Sequence, residues 1–170
     1  HEPVSFEGKR VAVIGTGSSG IQSIPEIARE AAHVTVLQRT PQYAFPAGNR
    51  PITPEEMADA RTNWKSLRAK MNANFGGFPH ENQARSALED TPEQREALYE
   101  ELWQRGGFKF FLDLYSDIAI SEGANQSLAD FVRGKIRETV CDPKIAAKLM
   151  PDYYLGTKRQ VLDNGYYETF

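Results

Sequence analysis

The chain has 170 residues with a net charge of −3, 25% charged and 40% hydrophobic residues, which is the composition of a globular domain and not of a disordered segment. The charge gives no electrostatic case for nucleic acid, and no apolar run approaches the roughly 20 residues that cross a bilayer. With one cysteine, Cys141, there is no internal disulfide, which fits a reducing, cytoplasmic setting. The lone cysteine and His1, His33 and His80 offer no metal-ligand spacing, so no metal is expected.

The first residues, His1-Glu2-Pro3-Val4, do not read as a signal peptide, and the missing initiator Met reads as a segment of a longer chain. Val11-Ala12-Val13-Ile14 is a short apolar run of β-branched character and predicts a strand. It leads directly into Gly15-Thr16-Gly17-Ser18-Ser19-Gly20, and a helix is expected to begin near Ser18. Strand, G-x-G-x-x-G and helix in that order are the layout of a dinucleotide-binding βαβ unit, although the glycine pattern alone also occurs in ordinary turns. Gly15 allows a sharp turn off the strand, Gly17 allows a pyrophosphate to approach the backbone, and Gly20 allows close packing of helix and strand. The helix N-terminus aims free N–H groups and the positive end of its dipole at an anion. Ser18 and Ser19 add hydroxyls, which also cap helices with no ligand present.

Ile21, Ile24, Ile27 and Ala28 share one helical face, but Pro25 falls inside the helix, where an ideal site would lose roughly 3 kcal/mol, so a bend is expected there. His33-Val34-Thr35-Val36-Leu37 is the second strand. It ends in Gln38-Arg39-Thr40-Pro41, where an NAD-preferring site would usually carry Asp or Glu. The guanidinium of Arg39 suits a 2′-phosphate; the alternative is a surface arginine beside a turn proline.

After the turn-rich stretch 46–51, helix signals dominate for about a hundred residues. Thr53-Pro54-Glu55-Glu56 and Thr91-Pro92-Glu93-Gln94 are capping boxes. The first is expected to launch one helix through Met57, Trp64, Leu67 and Met71, and the second a helix carrying Leu98, Tyr99, Leu102 and Trp103. The aromatic cluster of Phe108, Phe110, Phe111 and Tyr115 reads as the core of a helical subdomain in preference to a substrate cage. Further helices are expected from Ser127 and from Asp142-Pro143. The fold class is therefore α/β, a partial Rossmann-type βαβ unit with a large all-helical insertion and predominantly helical overall. Residues 1–52 form the first part of the nucleotide domain, 53–150 the insertion, and 151–170 a return segment. That last segment carries the pair Lys158-Arg159, which by spacing alone is ordinary surface charge.

Together these blocks resemble the Baeyer–Villiger monooxygenases, the flavin- and NADPH-dependent family that includes cyclohexanone and phenylacetone monooxygenases. The matching text is the stretch 6–22, Gln38-Arg39-Thr40-Pro41, Asn49-Arg50-Pro51, Lys158-Arg159 and Gly165-Tyr166-Tyr167-Glu168-Thr169-Phe170. The resemblance implies that residues 15–20 and Gln22 hold the NADP pyrophosphate, and that Arg39, Thr40 and Lys158 hold the 2′-phosphate. It implies that Arg159 is the active-site arginine that stabilises the negatively charged flavin peroxide. It also implies FAD, O2 and a ketone that becomes an ester or lactone. The family's FAD loop and its F-x-G-x-x-x-H fingerprint are not in these residues, and Gln160 stands where many relatives have proline. The isolated chain is therefore expected to be inactive, and its two-stranded sheet to be poorly ordered or to associate with another chain. The other readings are a flavin monooxygenase acting on nitrogen or sulfur, and a non-catalytic NADP-binding or helical interaction module.

Overall fold

The computed structural model describes residues 4–81 and 83–170. His1 and the opening residues read above as lacking a signal peptide's character lie outside them up to Pro3. Strand β1 (Arg10–Ile14), helix α1 (Ser18–Glu30) and strand β2 (His33–Leu37) follow one another, and the two strands pair in parallel from Arg10 opposite His33 to Ile14 opposite Leu37. A parallel pair needs a crossover, and α1 supplies it. Both strands alternate exposed and half-buried residues, because only one face is covered by α1. Ile21 and Ile24 of α1 are fully buried, and α1 remains a single helix across Pro25, itself buried. Ile14 and Leu37, at the ends of the strands, are exposed.

A second parallel pair, β3 (Ala44–Pro46) and β4 (Val161–Asp163), was not expected; Ala44 lies opposite Val161 and Pro46 opposite Asp163. Three-residue strands leave too little sequence for an alternation to register, and their partners come from opposite ends of the chain. Helix α1 packs on β4, so the two sheets share one helix. The fold is thus mixed α/β, with two small parallel sheets and more helix than strand.

The helical block comprises α2 (Pro54–Thr62), α3 (Trp64–Ala73), α4 (Pro92–Arg105), α5 (Lys109–Leu112), α6 (Glu122–Thr139) and α7 (Pro143–Leu149). Both capping boxes form: Thr53 pairs reciprocally with Glu56, and Thr91 with Gln94. The single helix expected from residue 54 to 71 is two helices, broken at Asn63, whose side chain turns back to donate to Asp59 at 2.6 Å. Neither α2 nor α3 has a buried residue, so no packing enforces continuity there. Helix α6 begins at Glu122 and not at Ser127, because Ser121 caps it by accepting from the Ala124 amide. Ser127 instead lies within the helix, where its hydroxyl donates to the Ala124 carbonyl at 2.8 Å and meets the Tyr99 hydroxyl at 2.9 Å.

The core joins α1 and the two sheets to α4, α5, α6 and α7, and leaves out α2 and α3. Phe45 of β3 stacks on Phe110 at 4.8 Å and edges onto Trp103 at 6.3 Å, which fastens the sheet region to α4 and α5. Phe110, Leu114 and Tyr115 are core residues, whereas Phe108 is exposed. No helix among the described residues is long and apolar enough to cross a membrane.

Candidate nucleotide site

The loop between β1 and α1 turns at Gly15, whose φ of +94° is the left-handed region that favours glycine. The Gly15 amide donates to the Leu37 carbonyl at 2.9 Å, extending the β1–β2 pairing one step into the loop. Thr16 is buried, and its hydroxyl donates to the Thr40 carbonyl at 3.2 Å. That bond ties the glycine loop to the segment leaving β2. The other two glycines differ. A Cβ on Gly20 would stand 2.4 Å from the Gly15 carbonyl oxygen, so the fold itself requires glycine there. A Cβ on Gly17 would meet nothing within 4 Å, and its backbone is in an ordinary extended conformation (φ −76°). Nothing in the protein demands glycine at 17.

Gly17 is also the N-cap of α1, with no side-chain cap and no acidic residue in the first turn. The amides of residues 16–20 donate to no protein acceptor among the described residues. They form a set of orphan donors at the positive end of a thirteen-residue helix.

A cleft of about 420 Å³ opens against this loop. It brings together six of the residues singled out from sequence: Gly15, Thr16, Gly17, Arg39, Thr40 and Lys158. Ile14, Leu37 and Gln42 complete the lining, which contains no carboxylate. Neither Arg39 nor Lys158 forms an ion pair among the described residues. The cleft thus has two cations, orphan amides and apolar strand ends, a combination suited to a ligand with phosphates and a flat apolar part. Gly20 supports the loop from behind. Ser18, Ser19 and Gln22 are exposed on the first turns of α1, and Arg159 is exposed beside Lys158; none of these four lines the cleft. Gln42 and the ring beneath Lys158, Tyr153, were not singled out from sequence. Tyr153 and Gln42 are hydrogen-bonded at 2.8 Å, a contact between distant segments that local spacing does not encode.

No protein-family model matches the chain. Over 172 residues, 99% of its length, it is 45% identical to a cyclohexanone 1,2-monooxygenase of Acinetobacter sp. Over 171 residues it is 42% identical to a Baeyer–Villiger monooxygenase of Pseudooceanicola batsensis. Over nearly its whole length the chain is similar to proteins named as cyclohexanone and Baeyer–Villiger monooxygenases. It spans about 31% of the length of these two relatives. A relative named for a different reaction, phenazine N-monooxygenase of Lysobacter antibioticus, is 41% identical over 98% of the chain and likewise covered over 31% of its own length. Among solved structures, an oxidized steroid monooxygenase bound to NADP matches 99% of the chain and 32% of its own with a TM-score of 0.94 at 45% identity. The complex of OTEMO with FAD and NADP matches 97% of the chain and 31% of its own, with a TM-score of 0.93 at 38% identity. The backbone described above is thus shared over nearly its whole length with the steroid monooxygenase bound to NADP and with OTEMO in complex with FAD and NADP.

Proposed function

We propose that the cleft binds NADP(H) and that the chain serves an FAD-dependent monooxygenase that converts ketones and O2 to esters or lactones. The observation that carries this reading is the meeting of the glycine loop with Arg39 and Lys158 in one cleft free of carboxylates. In it the orphan amides of residues 16–20, with Gln22 nearby on α1, face the pyrophosphate, and Gly17 leaves the space that a side chain would take from it. Arg39, Thr40 and Lys158 surround the 2′-phosphate, the guanidinium offering a paired set of donors and the ammonium a point charge. The structural assignment that follows is a Rossmann-type unit in residues 1–52, a helical insertion in 53–150 and a return to the nucleotide domain in 151–170.

Bound FAD would supply the oxygen chemistry, and this chain's part is to hold and aim the reductant. Ile14 and Leu37 add apolar, solvent-exposed surface to the cleft, against which a flat ring of the nucleotide would lie. Arg159 is exposed beside Lys158 and outside the cleft lining, so it would be available to bound FAD as a fixed positive charge not committed to the nucleotide phosphates. The net reaction consumes ketone, O2, NADPH and one proton and yields ester, NADP+ and water.

The test is product analysis with the FAD-loaded enzyme that carries this chain. NADPH-dependent conversion of a cyclic ketone under 18O2 should place one labelled oxygen in the lactone; an NADPH oxidation that never labels product removes the oxygenase reading. The identity to phenazine N-monooxygenase favours one second reading, oxygenation of nitrogen. A heteroaromatic amine converted to its N-oxide while ketones are left untouched would select it.

A further inference from the structure

Lys158 does not reach the cleft unsupported. Its ammonium lies 4.4 Å from the centroid of the Tyr153 ring, a cation–π contact. The ring is itself fixed at three points. Its hydroxyl donates to Gln42 Oε1 at 2.8 Å, its edge packs against Tyr43 at 5.3 Å with the planes 74° apart, and its carbonyl accepts from the Tyr43 hydroxyl at 3.1 Å. Tyr43 is buried, and Arg133 of α6 donates to its hydroxyl at 3.0 Å. Gln42 is held from its other side, where its carbonyl accepts from Tyr167 at 3.0 Å. A rigid column therefore runs from the helical block, through Tyr43 and Tyr153, to a lysine in the nucleotide cleft.

We propose that Tyr153 is a positioning residue that sets the preference for NADP(H) over NAD(H) by holding Lys158 over its ring; this rests on the NADP reading of the cleft. A lysine has a flexible four-carbon stem, and ordering it on a phosphate costs side-chain entropy. An aromatic platform restricts the stem before the ligand arrives and leaves the ammonium's outward donors free. A carboxylate partner would order the lysine equally well but would cancel its charge toward the phosphate. Gln42, which lines the cleft and anchors the ring, couples the platform to the site wall.

The experiment is calorimetric titration of the FAD-loaded enzyme carrying this chain with NADP+ and with NAD+. Tyr153→Leu, which removes the ring, should weaken NADP+ binding about three- to ten-fold, the range of a partly exposed cation–π contact, and leave NAD+ unchanged. Tyr153→Phe, which keeps the ring and its packing on Tyr43, should retain more than half of the preference. In a Lys158→Met background, Tyr153→Leu should have no further effect, because the two residues act as one unit. Tyr153→Leu leaving the NADP+/NAD+ ratio unchanged, tightening NADP+, or weakening both cofactors equally would overturn the proposal. Arg39→Ala separates the two levels of the argument. If it lowers the ratio while Tyr153→Leu does not, the positioning role alone fails; if it leaves the ratio unchanged, the NADP reading fails and the positioning role with it.

Discussion

A Cβ on Gly20 would lie 2.4 Å from the carbonyl oxygen of Gly15, whereas a Cβ on Gly17, three residues earlier, would meet nothing. Gly20 serves the fold, whereas Gly17 is the glycine proposed to serve a ligand, and substitution separates them. Gly20→Ala forces the loop and α1 apart and should cost about 1–3 kcal/mol of stability, the usual range for overpacking a tight site. Gly17→Ala should melt at or slightly above the parent temperature, since its backbone is ordinary and alanine restricts the unfolded chain. It should nevertheless weaken NADP+ binding by about ten-fold or more, the equivalent of one charge-assisted hydrogen bond. Thermal melts paired with NADP+ titration check both; a Gly17→Ala variant that binds normally removes the pyrophosphate from this loop.

Arg39 and Lys158 are the two cations of the cleft and neither is neutralised by a carboxylate among the described residues. Arg39→Ala should raise the KM for NADPH by roughly 10- to 100-fold, from about 1.5–3 kcal/mol per charge-assisted contact, and leave the KM for NADH within two-fold. The effect should shrink as salt rises, because Arg39 is exposed. Equal changes for both cofactors would remove the 2′-phosphate from Arg39.

What could be read from the sequence is what local chemistry specifies. The β1–loop–α1–β2 order is visible because apolar periodicity, glycine spacing and a strand end all fall within forty residues. The capping boxes at Thr53 and Thr91 are visible because they close over four residues. The break at Asn63 was hidden: Met57, Trp64, Leu67 and Met71 keep a helical spacing across it, and because neither α2 nor α3 has a buried residue, little opposes an asparagine turn there. The start of α6 was misplaced because Ser127 is a good cap by residue type, whereas Ser121 is the residue that accepts from the Ala124 amide and caps the helix. The pairing of β3 with β4 and the bond from Tyr153 to Gln42 join segments at opposite ends of the chain, and no periodicity encodes such a meeting. For the candidate site, the glycine loop and Arg39 stood out locally; that Lys158 enters the same cleft came from the family resemblance and not from spacing.

Asp163 closes β4 and accepts from the Tyr166 amide, yet burial pushes its carboxyl above the usual range, with Glu168 adding repulsion. The folded state therefore binds this proton more tightly than the unfolded chain. Stability should fall as pH rises from the ordinary aspartate value through the raised one, and be regained on acidification across that window. Asp163→Asn keeps an acceptor for Tyr166 and removes the charge. At neutral pH it should melt above the parent, by about 2–4 °C for each kcal/mol released in a chain of this size, and the difference should vanish below the aspartate range. Melts across the pH series measure this, and a parent whose stability only rises with pH through that window would contradict it.

Arg159 is exposed beside Lys158 but does not line the nucleotide cleft, so its role and that of its neighbour should separate in the FAD-loaded enzyme. Arg159→Ala should leave NADP+ affinity within two-fold, since no nucleotide contact is lost. Product formation should drop by about 10²–10³-fold or more, the usual result of removing one preorganised charge from a developing anion. Lys158→Met should do the reverse, raising the KM for NADPH while leaving kcat at saturating cofactor nearly intact. Arg159→Lys keeps the charge but not the planar fork, and partial rescue by it would point to charge alone as what the site requires. Parallel loss of NADP+ affinity in Arg159→Ala would instead place this arginine at the nucleotide and leave the flavin side of the site without its cation.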